Sequence, residues 1–310
     1  MKKNEYPIHP DFKMWSRMRP PINRFMLPVM QRLMELLWLR ERTTAELRVT
    51  RESIRSADGS EIRALLYSPV GIGENAPCLV VYHGGGFVLP AAPYHFSLAR
   101  EYALSARCKV LFVDYRLAPK HPFPAAPEDC FAAYRWALDN AERLSINPSK
   151  IAVSGDSAGA QLAIVVCLMA KERGRAIPCA QMLMYPAVGS LPETKSYREF
   201  TDTPMCSSKD MEKYSRFYLQ DKSAGKPEYS SPIHAPSLAD LPPAYIETAE
   251  FDPLRDGGIL YAKRLRDEGV SALLTNTKGT MHGFDIVLKS PIVRKCVSER
   301  VAFLRGAFEE

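Results

Sequence analysis

The fold of this chain is decided by residues 151–170, which read IAVSGDSAGAQLAIVVCLMA. A short apolar run, Ile151–Ser154, is joined to a helix-forming run, Ala160–Ala170, by the turn Gly155-Asp156-Ser157-Ala158-Gly159. A serine on a sharp strand-to-helix turn has a strained backbone, and the flanking glycines remove side chains that would collide there. We therefore predict that Ser157 is the nucleophile of an elbow between strand and helix. An ordinary turn built from small residues is the simpler alternative.

Short β-branched runs alternate with helical segments on both sides of this turn. The candidate strands are Glu46–Ser53, Ile62–Ser68, Cys78–Tyr82, Val110–Val113, Ile151–Ser154, Met182–Tyr185, Ala244–Thr248 and Ala272–Thr277. Apolar residues three and four apart predict helices over Tyr94–Ala106, Pro127–Arg143, Ser157–Arg173, Leu254–Glu268 and Ile292–Phe308. This alternation predicts an α/β protein with a mostly parallel eight-stranded sheet and helices on both faces.

Two segments do not fit the alternation, one at the N-terminus and one after the sixth strand. The stretch Ile22–Leu39 is apolar but carries too many polar interruptions for a membrane span, so we predict an amphipathic helix. In the later segment Ser208 is a candidate N-cap. It would begin a helix whose apolar face consists of Met211, Tyr214, Phe217 and Tyr218.

We predict three parts for the chain. Residues 1–45 form an N-terminal cap segment, residues 46–187 and 226–310 form the catalytic domain, and residues 188–225 form a cap insertion. An apolar helix face outside the main sheet needs a partner. Whether the cap helices pack only on each other or also line a substrate pocket stays open at this point.

The composition is that of an ordinary globular protein. Of 310 residues, 46% are hydrophobic and 25% are charged, which excludes disorder, collagen and coiled coil. The net charge of the chain is +6. Residues 1–55 contain 12 basic and 6 acidic side chains, so this segment alone accounts for the excess of positive charge. That segment lacks the dense basic patch of a nucleic-acid-binding protein.

The seven cysteines are odd in number and show no CxxC spacing, and residues 1–20 lack a leader pattern. We therefore expect a cytoplasmic protein with neither a disulfide framework nor a metal site.

A glycine-rich loop follows the third candidate strand and reads His83-Gly84-Gly85-Gly86-Phe87. Three consecutive glycines cost backbone entropy, so their N–H groups are expected to approach a bound group closely. We predict an oxyanion hole made by Gly84, Gly85 and Gly86 together with the N–H of Ala158. A phosphate-binding loop is the alternative, but no Gly-Lys-Ser/Thr or GxGxxG pattern accompanies it.

A serine nucleophile needs a base and an orienting acid. Of the six histidines, His282 alone follows the last candidate strand, where a loop can carry the imidazole over the edge of the sheet. Asp252 follows the seventh strand and completes the chain order Ser, Asp, His. The rival acids are Glu250, Asp256 and Asp285.

Asp156, beside the nucleophile, has two interpretations. It is either a carboxylate favoured by the dipole of the following helix or a brace for the elbow. The dipole interpretation is the simpler of the two, and we adopt it as the expectation from sequence.

Several motifs in one order resemble the bacterial hormone-sensitive-lipase-like esterases of the α/β-hydrolase superfamily. They are His83–Phe87, Asp114–Pro119, Phe123–Ala126, Gly155–Gly159, Leu241–Pro243, Asp252–Asp256 and His282–Phe284. The resemblance implies an α/β-hydrolase fold with a helical cap and a serine carboxylesterase that needs no cofactor. It also implies a triad of Ser157, Asp252 and His282, a preference for short or medium acyl chains, and a homodimer. Ala160 departs from the family, which usually has a further glycine there.

The function we predict is hydrolysis of a small-molecule carboxylic ester through an acyl-enzyme. An amidase or deacetylase with the same triad is the alternative, because nothing in the sequence separates ester from amide cleavage. A non-catalytic ligand-binding protein on the same scaffold is a further alternative, although such a protein would be expected to lack a triad member.

Overall fold

The computed structural model describes residues 6–19, 23–221 and 224–309. Its centre is an eight-stranded sheet in the order β1-β2-β4-β3-β5-β6-β7-β8. The strands are β1 Leu47–Arg55, β2 Glu61–Pro69, β3 Ala76–Tyr82, β4 Lys109–Asp114, β5 Ile146–Asp156, β6 Gln181–Met184, β7 Ala244–Phe251 and β8 Ala272–Met281. Strand β2 pairs antiparallel with both β1 and β4, and the remaining neighbours pair in parallel. All eight predicted strands are confirmed.

Helices cover the sheet on both faces, and the five predicted ones are confirmed with shifted ends. The described helices are α1 Met26–Arg40, α2 Pro93–Ser105, α3 Ala125–Asp139, α4 Ala158–Glu172, α5 Lys195–Glu199, α6 Ser208–Tyr218, α7 Pro227–Ser230, α8 Arg255–Asp267 and α9 Pro291–Glu309. Both faces of the sheet carry buried apolar clusters. A parallel sheet needs this cover because its strands are hydrophobic on both sides.

Helix α4 is packed behind the predicted nucleophile and is buried at every residue from Ala158 to Ala170. Its core-facing side lies against β5, whose last six residues are also buried. The buried strand and helix leave the turn between them little freedom to relax. Residues 151–170, which decide the fold, are buried throughout.

The two predicted cap segments both contain helices. The amphipathic helix expected over Ile22–Leu39 is observed as α1, and Ile22 itself lies outside the described residues. Helix α6 begins as predicted, but its N-cap is Ser207 rather than Ser208. The Ser207 hydroxyl accepts a hydrogen bond from the Asp210 N–H, and the Asp210 carboxylate accepts one from the Ser207 N–H, which forms a capping box.

Both predicted cap segments make contacts near the glycine loop. The Gln31 amide of α1 donates hydrogen bonds of 2.7 Å to the Val88 carbonyl and 3.0 Å to the Ala118 carbonyl. The Tyr218 ring of α6 stacks on Phe87, with 3.8 Å between ring centroids. Within the described ranges, no helix combines the length and apolarity needed to cross a membrane.

Candidate active site

Three side chains meet where β5, β7 and β8 end. Ser157 follows β5, Asp252 follows β7, and His282 follows β8. The His282 Nδ1–H donates to Asp252 Oδ2 at 2.8 Å, and His282 Nε2 lies 2.8 Å from Ser157 Oγ. Because the carboxylate fixes the proton on Nδ1, Nε2 is left to accept the serine proton. The structure thus brings together all three residues predicted from sequence.

The serine is held in a strained turn. Ser157 has φ 54° and ψ −116°, a left-handed region that L-residues rarely adopt. A methyl group at Gly155 would overlap the backbone of Gly159, and one at Gly159 would overlap the carbonyl oxygen of Tyr82. The predicted elbow geometry is confirmed, since only glycine fits at these two positions.

The surroundings of His282 favour a strong base. Burial alone lowers the pKa of the imidazole, but the charge of Asp252 and its hydrogen bond outweigh burial. The pKa of His282 is therefore raised above its ordinary 6.5. The Asp252 carboxylate is fully buried, and its other oxygen accepts the Leu254 N–H at 2.9 Å. This second bond fixes the carboxylate plane against the imidazole.

The rival acids have other partners. Glu250 accepts hydrogen bonds from the Gly279 N–H at 2.7 Å and from Lys278. Asp256 accepts the Ser196 N–H at 2.7 Å. Asp285 accepts hydrogen bonds from a buried tyrosine and a buried arginine, described below. Of the four candidates, Asp252 is the one whose carboxylate contacts the imidazole.

The glycine loop and Ser157 line the same cavity, with one change from the predicted set of N–H donors. The Gly84 N–H donates to Asp156 Oδ1 at 2.8 Å, so it is already occupied and we leave it out of the oxyanion hole. Gly85 and Gly86 have φ of 125° and 61°. In the described residues no hydrogen bond uses the N–H of Gly85, Gly86 or Ala158.

Asp156 is more than a dipole partner, which corrects our expectation from sequence. Besides the Gly84 N–H, it contacts His95 Nε2 at 3.1 Å and the Tyr94 hydroxyl at 3.3 Å. Burial raises the pKa of the Asp156 carboxyl, but His95 and the Gly84 N–H outweigh it and lower the pKa overall. Asp156 therefore braces the glycine loop against the elbow.

Sequence reasoning missed His95 and Tyr94. They begin α2, away from any strand end, and the sequence carries no signal for their contact with Asp156. His83, the first residue of the glycine-loop motif, is fully buried beneath the loop. Its ring stacks on Tyr115 at 4.5 Å, and burial lowers its pKa to about 4, so it stays neutral.

A cavity of about 520 Å³ opens above the serine. Its walls are mainly apolar and come from the glycine loop, the ends of the strands and the 188–225 insertion. Met211, Tyr214 and Tyr218 of α6 line it, which answers the question left open for this helix. Among the described residues, none of α1 lines it. The Ala160 side chain is fully buried and does not line the cavity, so the methyl group packs in the core.

A sheet of this order with a strained serine, a histidine and an aspartate at its carboxyl edge defines an α/β hydrolase. The family model described as alpha/beta hydrolase fold matches residues 79–286. Carboxylesterase NlhH of Mycobacterium tuberculosis is 36% identical over 266 residues, which cover 84% of this chain and 83% of that protein. Esterase LipI of the same species is 38% identical over 259 residues, 83% of this chain and 80% of that protein.

A solved structure agrees with the sequence relatives. An esterase of Pyrobaculum calidifontis superimposes with a TM-score of 0.86 at 36% identity, covering 97% of this chain and 99% of that one. The chain belongs to the α/β-hydrolase family, in its hormone-sensitive-lipase-like group, and is a carboxylic ester hydrolase.

Proposed function

We propose that this hydrolase cleaves esters of short to medium acyl chains through an acyl-enzyme on Ser157, with His282 as general base and Asp252 as its orienting acid. One observation carries the proposal. Two hydrogen bonds of 2.8 Å connect the carboxylate, the imidazole and the hydroxyl in sequence, and the hydroxyl lines the cavity. This arrangement is what a serine needs to become a nucleophile at neutral pH.

In acylation, Ser157 Oγ attacks the ester carbonyl carbon while its proton passes to His282 Nε2. The carbonyl oxygen takes the electron pair and becomes an oxyanion. When the tetrahedral intermediate collapses, the bond from carbon to the alcohol oxygen breaks, and Nε2 returns the proton to the departing alcohol. The Asp252 carboxylate stays ionised and stabilises the imidazolium between these two transfers.

Deacylation repeats the sequence with water. Water gives a proton to His282 Nε2 as its oxygen attacks the acyl carbon, and Ser157 leaves with that proton. The acid product and free enzyme result, so no external oxidant or reductant is consumed. The raised pKa of His282 suits it to hold the proton during each half-reaction.

The oxyanion hole in this proposal consists of the N–H groups of Gly85, Gly86 and Ala158. The N–H groups of Gly85 and Gly86, which have no hydrogen-bond acceptor in the described part of the chain, and the N-terminal end of α4 support it. A single donor in such a hole stabilises the transition state by about 3–4 kcal/mol. Asp156 takes part indirectly, because it holds the loop through Gly84.

The proposed cap comprises residues 1–45 and 188–225, over a catalytic domain of residues 46–187 and 226–310. The insertion contributes the apolar outer wall of the cavity through α6, which supports its role in selecting the acyl chain. The N-terminal segment contacts this insertion, since the Met205 N–H donates to the Met18 carbonyl at 3.0 Å. A mainly apolar cavity favours an apolar acyl group.

Replacing the nucleophile tests the proposal. Ser157→Ala is expected to lower kcat for a short p-nitrophenyl ester by about 10⁶-fold while leaving the fold intact. Ser154→Ala, three residues earlier on β5, removes a buried hydroxyl that has no partner in the described residues, and it should retain activity within twofold. Comparable activity in the two variants would refute the role of Ser157.

We also propose a cytoplasmic protein and a homodimer. All seven cysteines are free thiols, which supports a reducing compartment. Strand β8 forms one edge of the sheet, and edge strands offer unpaired backbone groups to a second copy. Light scattering of the purified protein should give twice the 34.8 kDa mass of the chain, and the mass of one chain would refute the dimer.

A further inference from the structure

A buried arginine lies behind the site, between the strand that leads to Asp252 and the loop that carries His282. Arg300 of α9 is fully buried. It donates to Glu247 of β7 at 2.7 and 3.1 Å and to Asp285 at 3.0 Å. Glu247 lies five residues before Asp252, and Asp285 lies three residues after His282. One guanidinium therefore holds both segments that carry the acid and the base.

A second contact connects this cluster to the imidazole itself. The Tyr185 hydroxyl donates to Asp285 Oδ2 at 3.0 Å. The Tyr185 ring packs edge-on against His282, with 5.0 Å between ring centroids and 66° between planes. Tyr185 follows β6 and has a positive φ of 35°, a conformation that the surrounding contacts hold in place. Tyr185 thus contacts Asp285 through its hydroxyl and the His282 imidazole through its ring.

The charges make the cluster costly as a purely structural element. One guanidinium faces two buried carboxylates, and burial raises the pKa of Glu247 despite the opposing charge of Arg300. Well-packed apolar residues often stabilise a core as well as a buried ion pair does. Bidentate hydrogen bonds do, however, restrict orientation in a way that apolar contacts do not. The geometry is therefore suited to fixing position.

We propose that Arg300, acting through Asp285 and Tyr185, is a positioning residue that keeps the His282 imidazole in line between Asp252 and Ser157. The inference rests on the proposed function, since it assigns a support to the proposed base. Arg300 and Asp285 hold the loop from behind, and the Tyr185 ring blocks rotation of the imidazole from the side. The base is thereby preorganised before substrate binds.

The chain offers a matched pair of variants for the test. Tyr185→Phe removes the hydroxyl bonded to Asp285 and keeps the ring beside His282. Tyr245→Phe removes a hydroxyl at the opposite end of the same cluster, where Tyr245 donates to Glu247 Oε2 at 3.1 Å. Each variant deletes a buried hydrogen bond to a carboxylate, so both should lower the unfolding temperature. The Tyr185 hydroxyl also contacts the Tyr94 hydroxyl, so Tyr185→Phe should lower it somewhat more.

Kinetics should separate the two variants. Tyr185→Phe is expected to lower kcat about tenfold with KM within twofold, because a small misplacement of the base slows chemistry without changing binding. The contact with Asp252 raises the pKa of His282, and loosening that contact should lower the pKa again. The pH at which kcat/KM is half-maximal should therefore fall. Tyr245→Phe should leave kcat and this pH midpoint unchanged. Equal kinetics in the two variants would overturn the proposal.

Asp285→Asn provides a second test if Tyr185→Phe does not fold. It keeps the size of the side chain and removes the charge that Arg300 holds, so the same loss in kcat and the same fall in the pH midpoint are expected. Unchanged kinetics in a folded Asp285→Asn protein would equally overturn the proposal. Ser157→Ala in the same assay separates failure of the proposed function from failure of the positioning proposal. If Ser157→Ala stays active, the proposed function is wrong. If it is inactive while the tyrosine and aspartate variants behave like wild type, only the positioning proposal is wrong.

Discussion

Helices α4 and α1 both carry many apolar side chains, but they are packed very differently. Helix α4 behind the nucleophile is buried on all sides over Ala158–Ala170. Helix α1 in the proposed cap buries Leu27 and Trp38 but exposes Phe25, just before its first turn, by 87%, Val29 by 70% and Leu33 by 64%. The proposed nucleophile thus precedes a fully buried helix, whereas the N-terminal part of the proposed cap exposes many apolar side chains. Precise geometry is needed where bonds break, and adaptability is useful where substrates enter.

Of the changes that compare these two regions, the largest effect is expected at the proposed orienting acid. Asp252→Asn should lower kcat about 10⁴-fold, because the amide no longer fixes the imidazole tautomer. In the proposed mechanism, activity requires neutral His282, so it should be lost as the pH falls through a pKa raised above 6.5. Without the charge that raises this pKa, the residual activity of the variant should persist to lower pH.

The neighbouring Asp256→Asn serves as the control for this change. Its carboxylate binds the Ser196 N–H and Arg255 and does not contact the imidazole. Its kcat is expected to stay within threefold, measured over the same pH range. If kcat fell equally in Asp256→Asn and Asp252→Asn, both carboxylates would be needed for the folded structure, and a specific action of Asp252 on His282 would be contradicted.

The second prediction compares two glycines in helices. Gly159→Ala is expected to destabilise the protein by about 4 kcal/mol or more, because the new methyl group overlaps the backbone of Tyr82, which cannot move aside. At Gly306 in α9 a new methyl group would have no other atom within 4 Å. Gly306→Ala should therefore stabilise the protein by about 0.5–1 kcal/mol, because alanine favours the helix more than glycine does. Denaturant unfolding measures both. A tolerated Gly159→Ala would contradict the tight elbow.

The third prediction compares two leucines directly. Leu162→Ala in α4 should cost about 3 kcal/mol of unfolding free energy, because Leu162 is fully buried and leaves a cavity. Leu33→Ala in α1 should change it by less than about 0.5 kcal/mol, since the side chain is 64% exposed. Equal losses would show that α1 is covered in solution and would remove the contrast between the two helices.

The smallest effect is expected in the cap insertion. Met211→Trp should narrow the cavity that Met211 lines and shift the preferred p-nitrophenyl ester to a shorter acyl chain. We expect about a tenfold change in the ratio of kcat/KM for octanoate and acetate esters, because one methylene in an apolar pocket is worth about 1–3 kcal/mol. Leu260→Trp, an exposed position on α8, should leave the ratio unchanged. An unchanged ratio in Met211→Trp would place chain-length selection elsewhere.

The sequence predicts local patterns well and distant contacts poorly. Eight strands and the elbow around Ser157 follow from periodicity and glycine spacing, which are properties of neighbouring residues. His282 and Asp252 follow from their places after strands, because parallel strands end at one edge. The partner of Asp156 could not be predicted in this way. His95 lies 61 residues before it, on a helix, and only the packing of that helix brings the two together.

The Gly84 and Arg300 contacts show the same limit. The glycine loop predicts donors for an oxyanion, but not that the Gly84 N–H is occupied by a carboxylate 72 residues away. From the sequence, Arg300 would be placed on the exposed face of an amphipathic helix. In the structure it is fully buried between two carboxylates. A strand-end position was the one available signal for Tyr185, which directly follows β6.

The role of Ser157 is tested most directly by covalent labelling. The protein is incubated with a serine-directed phosphonate, and the modified residue is located by peptide mapping in the wild type and in Ser157→Ala. We expect one phosphonate group per chain on the peptide that contains Ser157, loss of esterase activity in proportion to labelling, and no label in Ser157→Ala. Label on another residue, or inactivation without label at Ser157, would contradict the account.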